Sequence, residues 1–316
     1  MRVFRQLSEI PAGFGPTIVS VGNFDGIHRA HRHMLSEIVR RAKERDSLSV
    51  AVTFDPHPAR YLRPTSDLKL LTPEPEKLRL FAATGLDAAA LLPFDEAMRL
   101  TTAREFAQTI LHNALHASEV HEGFNFRFGN QGAGDIRTLT EFGAEMGFEV
   151  FSYPEMRLRG VEVSSSAIRR LLQDGKAHLA RHLLDRVFSL LSSPARGRGY
   201  GSKYTVPTIN LAPYSELIPQ DGVYVSRTRV GEELFDSVTN LGNRPTFGAD
   251  SFAIETHLLN FHPVDLSEST EVEVFFLRRL REEIKFPSPE ALREQIGCDI
   301  RKATRYLRLA RSLTKP

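Results

Sequence analysis

Thr17-Ile-Val-Ser-Val-Gly-Asn-Phe-Asp-Gly-Ile-His-Arg-Ala-His31 joins two kinds of periodicity in fifteen residues. Thr17 to Val21 is short, apolar and rich in β-branched residues. Pro16 and Gly22 bound it, so it reads as a buried strand. After the turn Gly22-Asn-Phe-Asp-Gly26, apolar residues recur at Met34, Leu35, Ile38, Val39 and Ala42. That is helical spacing, with Arg40, Arg41, Lys43 and Arg45 on the polar face.

The same alternation continues outward from this segment. Strands are expected at Leu48 to Phe54, Ala88 to Leu92, near Val120 and at Phe148 to Tyr153. Helices are expected at Glu74 to Ala83, Thr102 to His116 and Asp135 to Met146. Strands alternating with helices imply a parallel sheet covered on both faces. Two short helices, Ser166 to Leu172 and Lys176 to Leu184, close this half, and a domain border is expected near Asp185.

The second half, 186–316, changes character. Ser192 to Ser202 is rich in Ser, Gly and Arg and reads as a loop. Strand candidates follow at Gly222 to Arg227, Leu234 to Leu241, Ala253 to Leu259 and Glu271 to Phe276, separated by Gly, Pro and Asp turns. They suggest a small antiparallel barrel, with one or two helices from Pro289 to Ala310 packed outside it.

Composition narrows the classes of function. The 316 residues are 41% hydrophobic and 25% charged, as two globular domains require. A net charge of +2 argues against a nucleic-acid partner, which draws on clustered basic surface. Cys298 is the only cysteine, so there is no internal disulfide and no thiolate metal cluster. No apolar stretch is long enough for a bilayer, and Met1 to Ile10 lacks the apolar run of a signal peptide. A cytoplasmic protein without membrane partners is expected, with a homo-oligomer left open.

The turn at Gly22 is the first candidate site. A helix N-terminus in a parallel α/β sheet exposes unpaired N–H groups and attracts phosphate. Gly22, Phe24 and Asp25 are candidates to line a nucleotide there. His28 and His31 lie three apart, so both can project from one face of the first turn and donate to phosphoryl oxygens. Helix-capping histidines, or a zinc site with His33, are the other readings of these residues. Ser164, Ser165 and Ser166 open a helix with Arg169 one turn on, a set that suits a triphosphate or serves as an N-cap. Gly123-Phe-Asn-Phe-Arg-Phe-Gly129 offers Asn125 and Arg127 to a nucleotide, with its aromatic residues partly in the core.

The second candidate site lies in the barrel. Thr208 and Asn210, two apart on extended chain, share one face, and such oxygen donors suit Mg²⁺. The preceding Gly197-Arg-Gly-Tyr-Gly201 can wrap a phosphate with backbone N–H groups, though it is not a Walker A motif. A simple turn is the other reading. Glu255, on the strand expected from Ala253, reads by itself as an outward strand residue.

The turn, Thr53-Phe-Asp-Pro-His-Pro58, the Gly123 segment and the Ser164 segment, in that order, resemble the adenylyltransferase module of bacterial bifunctional riboflavin kinase/FMN adenylyltransferases. That module is a Rossmann-like nucleotidyltransferase domain with a His-x-Gly-His signature. Pro207-Thr-Ile-Asn210, Gly222-Val-Tyr224, Asn240-Leu-Gly-Asn-Arg-Pro-Thr246 and Ile254-Glu-Thr-His257 resemble the same family's kinase β-barrel. The resemblance implies that ATP phosphorylates riboflavin to FMN and then adenylylates FMN to FAD. It implies contacts to ATP phosphates from His28 and His31, closure on the phosphates by Ser164, Ser165, Ser166 and Arg169, and Asn125 beside the nucleotide. It also implies Mg²⁺ and phosphate at Thr208 and Asn210, with Glu255 as general base on the ribityl hydroxyl.

The match has departures. Ala30 replaces the signature Gly and would strain a position that needs positive φ. Ser192, Ser202, Thr205, Asn260 and Leu266-Ser-Glu268 depart from the kinase pattern. They leave two further readings, a single-activity adenylyltransferase with a degenerate barrel and a flavin-binding protein without catalysis.

Overall fold

The computed structural model describes residues 1–195, 208–243, 252–262, 267 and 269–313. Contacts divide the chain into two compact units, Met1–Ser165 and Ser166–Pro316.

The first unit is built on six strands: β1 (Arg2–Phe4), β2 (Thr17–Val21), β3 (Leu48–Asp55), β4 (Ala88–Pro93), β5 (Ala117–Gly123) and β6 (Glu149–Tyr153). Their order is β1-β4-β3-β2-β5-β6, and every pairing is parallel. All five residues of β2 are buried, as a central strand covered on both faces demands. From β2 the chain builds toward β3 and β4 on one side, then returns to place β5 on the other. The strand order reverses between β2 and β5, where a doubly wound sheet opens a crevice at its carboxyl end.

Helix α1 (Arg29–Glu44) follows β2 and buries Met34, Leu35, Ile38, Val39 and Ala42, the residues whose spacing predicts it. Arg41 fastens the helix to the sheet by reaching the wholly buried Glu119 on β5 at 2.5 and 2.6 Å. Short helices α2 (Pro58–Leu62), α3 (Glu74–Ala83) and α4 (Glu96–Leu100) follow. The helix expected from Thr102 begins as α5 (Ala103–Phe106), capped by the Thr102 hydroxyl and Glu105. From Ala107 to Ala114 it continues with π-helical hydrogen bonding, which spacing alone does not reveal. Next come α6 (Ile136–Met146), the small hairpin β7 (Arg157–Leu158) and β8 (Val161–Glu162), and α7 (Ser165–Gln173).

The second unit holds most of α7, α8 (Ala177–Leu184) and a curled antiparallel sheet. The break before Ser166 precedes the border expected near Asp185. Helix α8 buries Ala180, Leu183 and Leu184 and packs against β9 and β14 of that sheet. Its strands are β9 (Phe188–Ser192), β10 (Thr208–Asn210), β11 (Gly222–Val230), β12 (Glu233–Asn243), β13 (Phe252–Leu258) and β14 (Val272–Arg281). The order is β10-β13-β12-β11-β14-β9. Past the ends of the two outer strands, Ala195 N–H donates to Asn210 C=O at 2.8 Å and Ala212 N–H to Ser193 C=O at 2.9 Å. The sheet therefore curls back until its edges meet.

Side chains alternate along these strands. One face of β11 sends Val223 and Val225 toward Ala303 and Leu307 of α9 (Pro289–Leu313). The other face buries Ser226 and Thr228, whose hydroxyls bond to Ser237, Thr239 and Thr256 at 2.7–2.9 Å. Each buried hydroxyl thus has a partner. No helix among the described residues is long and apolar enough to cross a membrane.

Gly143 shows how closely α6 lies on the chain that leads into β6. A Cβ there would sit 2.4 Å from the Phe148 carbonyl oxygen. The Gly143→Ala variant should lose about 1–3 kcal/mol of stability to this overpacking, despite the better helix propensity of Ala. A lowered urea midpoint at unchanged slope is the expected result, and an unchanged midpoint would contradict the packing described.

Candidate functional sites in the two units

The β2 strand ends at Val21, and the next seven residues, Gly22 to His28, turn the chain into α1. Gly22 N–H donates to Val52 C=O at 2.9 Å, holding the start of the turn against β3. Phe24, Gly26 and Ile27 all have positive φ, at 47°, 85° and 34°. For two of these the left-handed region is unfavourable, so the surroundings must impose it.

Asp25 supplies much of that constraint. Its buried carboxyl group accepts the Leu71 N–H at 2.9 Å and the Thr72 N–H at 3.0 Å. The Gly26 N–H in turn donates to Thr72 Oγ1 at 2.8 Å. The Phe24 ring is 1% exposed and packs edge-on against Phe81 and His31. Both side chains thus brace the turn, Asp25 through the Leu71 and Thr72 N–H groups and Phe24 through the Phe81 ring.

His28 caps α1, and its Nδ1 accepts the His31 N–H at 3.4 Å. The two imidazoles stack, with centroids 3.6 Å apart and planes 14° from parallel. Part of His31 reaches the surface, yet its Nδ1 is enclosed and has no hydrogen-bond partner among the described residues. Burial lowers the His31 pKa well below the usual 6.5, and the nearby His28 and Lys77 lower it further. His31 is therefore neutral at pH 7. His33 is exposed and lies edge-on to Tyr153. Ala30 lies inside α1 and is not among the residues with positive φ, so the strain foreseen for a methyl group does not arise.

Lys77 escapes the sequence reading. It is 4% exposed on α3, and its Nζ donates to the Asn23 carbonyl at 2.8 Å. Burial lowers its pKa, opposed by the charges of Asp25 and Asp55. Nothing in the local sequence marks this lysine, because only the packing of α3 beside the turn gives it a role.

Ser165 Oγ donates to the Asp25 carbonyl at 2.8 Å, which brings the start of α7 to the turn. Ser164 directly precedes that helix, while Ser166 and Arg169 continue it in the second unit. A cavity of about 570 Å³ opens beside the turn, lined by Gly22, Asn23, Phe54, Phe106, Asn125 and Phe128 among others. Asn125 thus shares the cavity wall with Gly22 and Asn23 of the turn. The aromatic walls from β3 and α5 carry no motif that marks them in the sequence.

In the second unit, β10 pairs with β13 so that Thr208 faces His257 and Asn210 faces Glu255. Alternation buries Ile209 and turns Thr208 and Asn210 to the opposite face, while Thr256 joins the hydroxyl network. Two oxygen donors, a carboxyl group and an imidazole therefore occupy one two-by-two block. Hard oxygen donors of this kind fit Mg²⁺. His257 is the member that spacing did not single out. Its Nδ1 lies 3.3 Å from Thr208 Oγ1, and burial lowers its pKa. Gly197 and Gly201, with the substitutions at Ser202, Thr205, Leu266 and Glu268, lie outside the described residues.

Comparison with known proteins follows this division. The FAD synthetase family model matches residues 11–167 and the riboflavin kinase model residues 184–307. The chain is 32% identical over 310 residues to the bifunctional riboflavin kinase/FMN adenylyltransferase of Pseudomonas fluorescens, covering 96% of this chain and 97% of that one. It is 31% identical over 300 residues to the enzyme of the same name from Escherichia coli strain K12, covering 95% and 94%. A crystal structure described as a macrolide-efflux protein from Streptococcus pneumoniae superposes with a TM-score of 0.85 at 25% identity, over 96% of this chain and 98% of that one. Efflux is said of that protein alone. With both domain models in order and relatives matched over nearly their whole length, the chain belongs to the bifunctional riboflavin kinase/FMN adenylyltransferase family.

Proposed function

We propose that each activity named for the family is carried by the block of residues described in the corresponding domain, 1–185 for adenylyl transfer and 186–316 for the kinase. Riboflavin, FMN and ATP are then the substrates, FAD is the final product, and the cytoplasm, with its supply of ATP, is the place of action. The observation that carries this reading is the register of β10 on β13. It sets Glu255 opposite Asn210 and beside Thr208, in a domain separate from the His28–His31 stack.

In the barrel, Glu255 accepts the proton of the ribityl hydroxyl as its oxygen attacks the γ-phosphorus of ATP. The bond to the β–γ bridging oxygen breaks, and ADP leaves with FMN formed. Thr208 and Asn210 would hold Mg²⁺, which supplies neutralising charge to the phosphates when bound. In the α/β domain, a phosphate oxygen of FMN attacks the α-phosphorus of ATP. The α–β bridging bond breaks and pyrophosphate leaves. The N–H groups at the start of α1, with His28 and His31, stabilise the charge that builds on the phosphates. Ser164 and Ser165 would close on the same groups, while Asn125 contacts the nucleotide. Positioning and electrostatics, with no covalent intermediate, carry the rate.

Two substitutions separate the activities. His28→Ala should lower FMN-to-FAD conversion by about a hundredfold or more and leave riboflavin-to-FMN conversion unchanged, while Glu255→Gln should do the reverse. Chromatography of the flavin products measures both. If either variant lost both activities, or neither, the assignment would fail.

Acid should weaken the α/β unit in a defined window. The folded pKa of His31 lies below its ordinary value of 6.5, so the unfolded chain takes up the proton first as pH falls. Stability present above about pH 6.5 is therefore lost as pH drops toward the folded pKa. Burial also lowers His121, which contributes in the same direction. His31→Gln should reduce the slope of stability against pH below 6.5, measured by urea unfolding at several pH values. An unchanged slope would show that His31 is not held neutral.

A further inference from the structure

Glu122 is only 1% exposed and lies near the carboxyl end of β5. Alternation puts it on the face of Val120, which belongs to the apolar cluster that includes Val21, Phe106 and Phe128. Those last three residues also line the cavity beside the turn. A carboxyl group therefore sits against an apolar part of the cavity wall, where it needs a hydrogen-bond partner. The Val21 N–H provides one, 2.5 Å from Glu122 Oε1. Burial pushes the Glu122 carboxyl well above the usual range, opposed only by this N–H, and no cation pairs with it among the described residues.

The place of this bond in the sheet gives it a purpose. β2 pairs with β3 as far as Val21 opposite Val52, but with β5 only as far as Val19 opposite Val120. Beyond Val19 the two strands at the reversal part from one another. Glu122 bridges that opening from β5 and reaches the last residue of β2. Directly beyond Val21 come Gly22 and Asn23 at the cavity, then the turn that ends in His28.

We propose that Glu122 is a positioning residue for adenylyl transfer, holding Val21 across the opening between β2 and β5 so that the phosphate-binding turn keeps its alignment with Asn125 on the other wall. The inference rests on the reading of this crevice as the adenylyl-transfer site. Its bond requires an acceptor oxygen and no charge. An amide should therefore replace the carboxyl group, whereas a hydrocarbon should not.

Steady-state kinetics of FAD formation from FMN and ATP test this for E122Q and E122L, with riboflavin phosphorylation by the same preparations as the internal reference. E122Q should keep kcat within about threefold of wild type. E122L should lower kcat at least about tenfold, with KM for FMN and ATP within about threefold and the kinase rate unchanged, because misalignment slows the reacting step more than binding. Wild-type kcat in E122L, equal impairment of both variants, or a rise in KM at unchanged kcat would each overturn the proposal. If E122L does not fold, E122N takes its place, since it withdraws the acceptor by one methylene. Wild-type kcat in E122N would then be decisive against the proposal. Failure of the wild-type protein to make any FAD would instead reject the adenylyl-transfer reading itself.

Discussion

The carboxyl group of Asp25, accepting the N–H groups of Leu71 and Thr72, is the constraint on which the α/β site depends. The turn it anchors contains two non-glycine residues with positive φ, Phe24 and Ile27. Each such residue costs on the order of 1–3 kcal/mol and persists only where its neighbours over-determine it. Here the neighbours are the buried Phe24 ring against Phe81, the Lys77 ammonium on the Asn23 carbonyl, and Glu122 on Val21. These contacts come from α3, the 71–72 segment and β5, far apart in sequence. Together they fix the N-terminus of α1, as the proposed phosphate site requires. A cradle that needs no reorganisation is what electrostatic stabilisation of phosphoryl chemistry requires.

The barrel reaches the same end by register. Antiparallel pairing with a period of two puts Thr208 and Asn210 on one face and sets His257 and Glu255 opposite them. A slip of one residue would turn Glu255 into the interior now filled by Thr256 and the hydroxyls of Ser226, Ser237 and Thr239. That interior resists the slip. Its hydroxyls satisfy one another through Thr256, and a carboxyl group in that position would lack the same partners. The packing of the barrel and the alignment of its chemistry thus have one cause.

The two-domain order and most elements were legible because burial in a parallel sheet and in a curled antiparallel one leaves different periodicities. Thr17–Val21 is buried throughout, whereas β13 alternates from Ala253 to Leu258. The His28–His31 pair and the Thr208–Asn210 pair were legible for a related reason, since each is a local spacing on one element. Lys77, Glu122 and His257 were not. Each acquires its role from a strand or helix that the fold places beside it, and no short motif encodes such a neighbour. Phe24 and Asp25 show the converse. They lie inside the most informative segment of the chain, yet their side chains are buried and tied to α3 and the 71–72 segment, partners that no local spacing reveals.

Adenylyl transfer at the proposed site requires the amides and imidazoles at the start of α1 to hold the nucleotide polyphosphate. A crystal structure of the full chain with Mg²⁺ and a non-hydrolysable ATP analogue tests it most directly. Phosphate density is expected within hydrogen-bond distance of His28 and of the first N–H groups of α1, with the turn unmoved. Nucleotide bound to the α/β unit at another place, with that crevice empty, would contradict it.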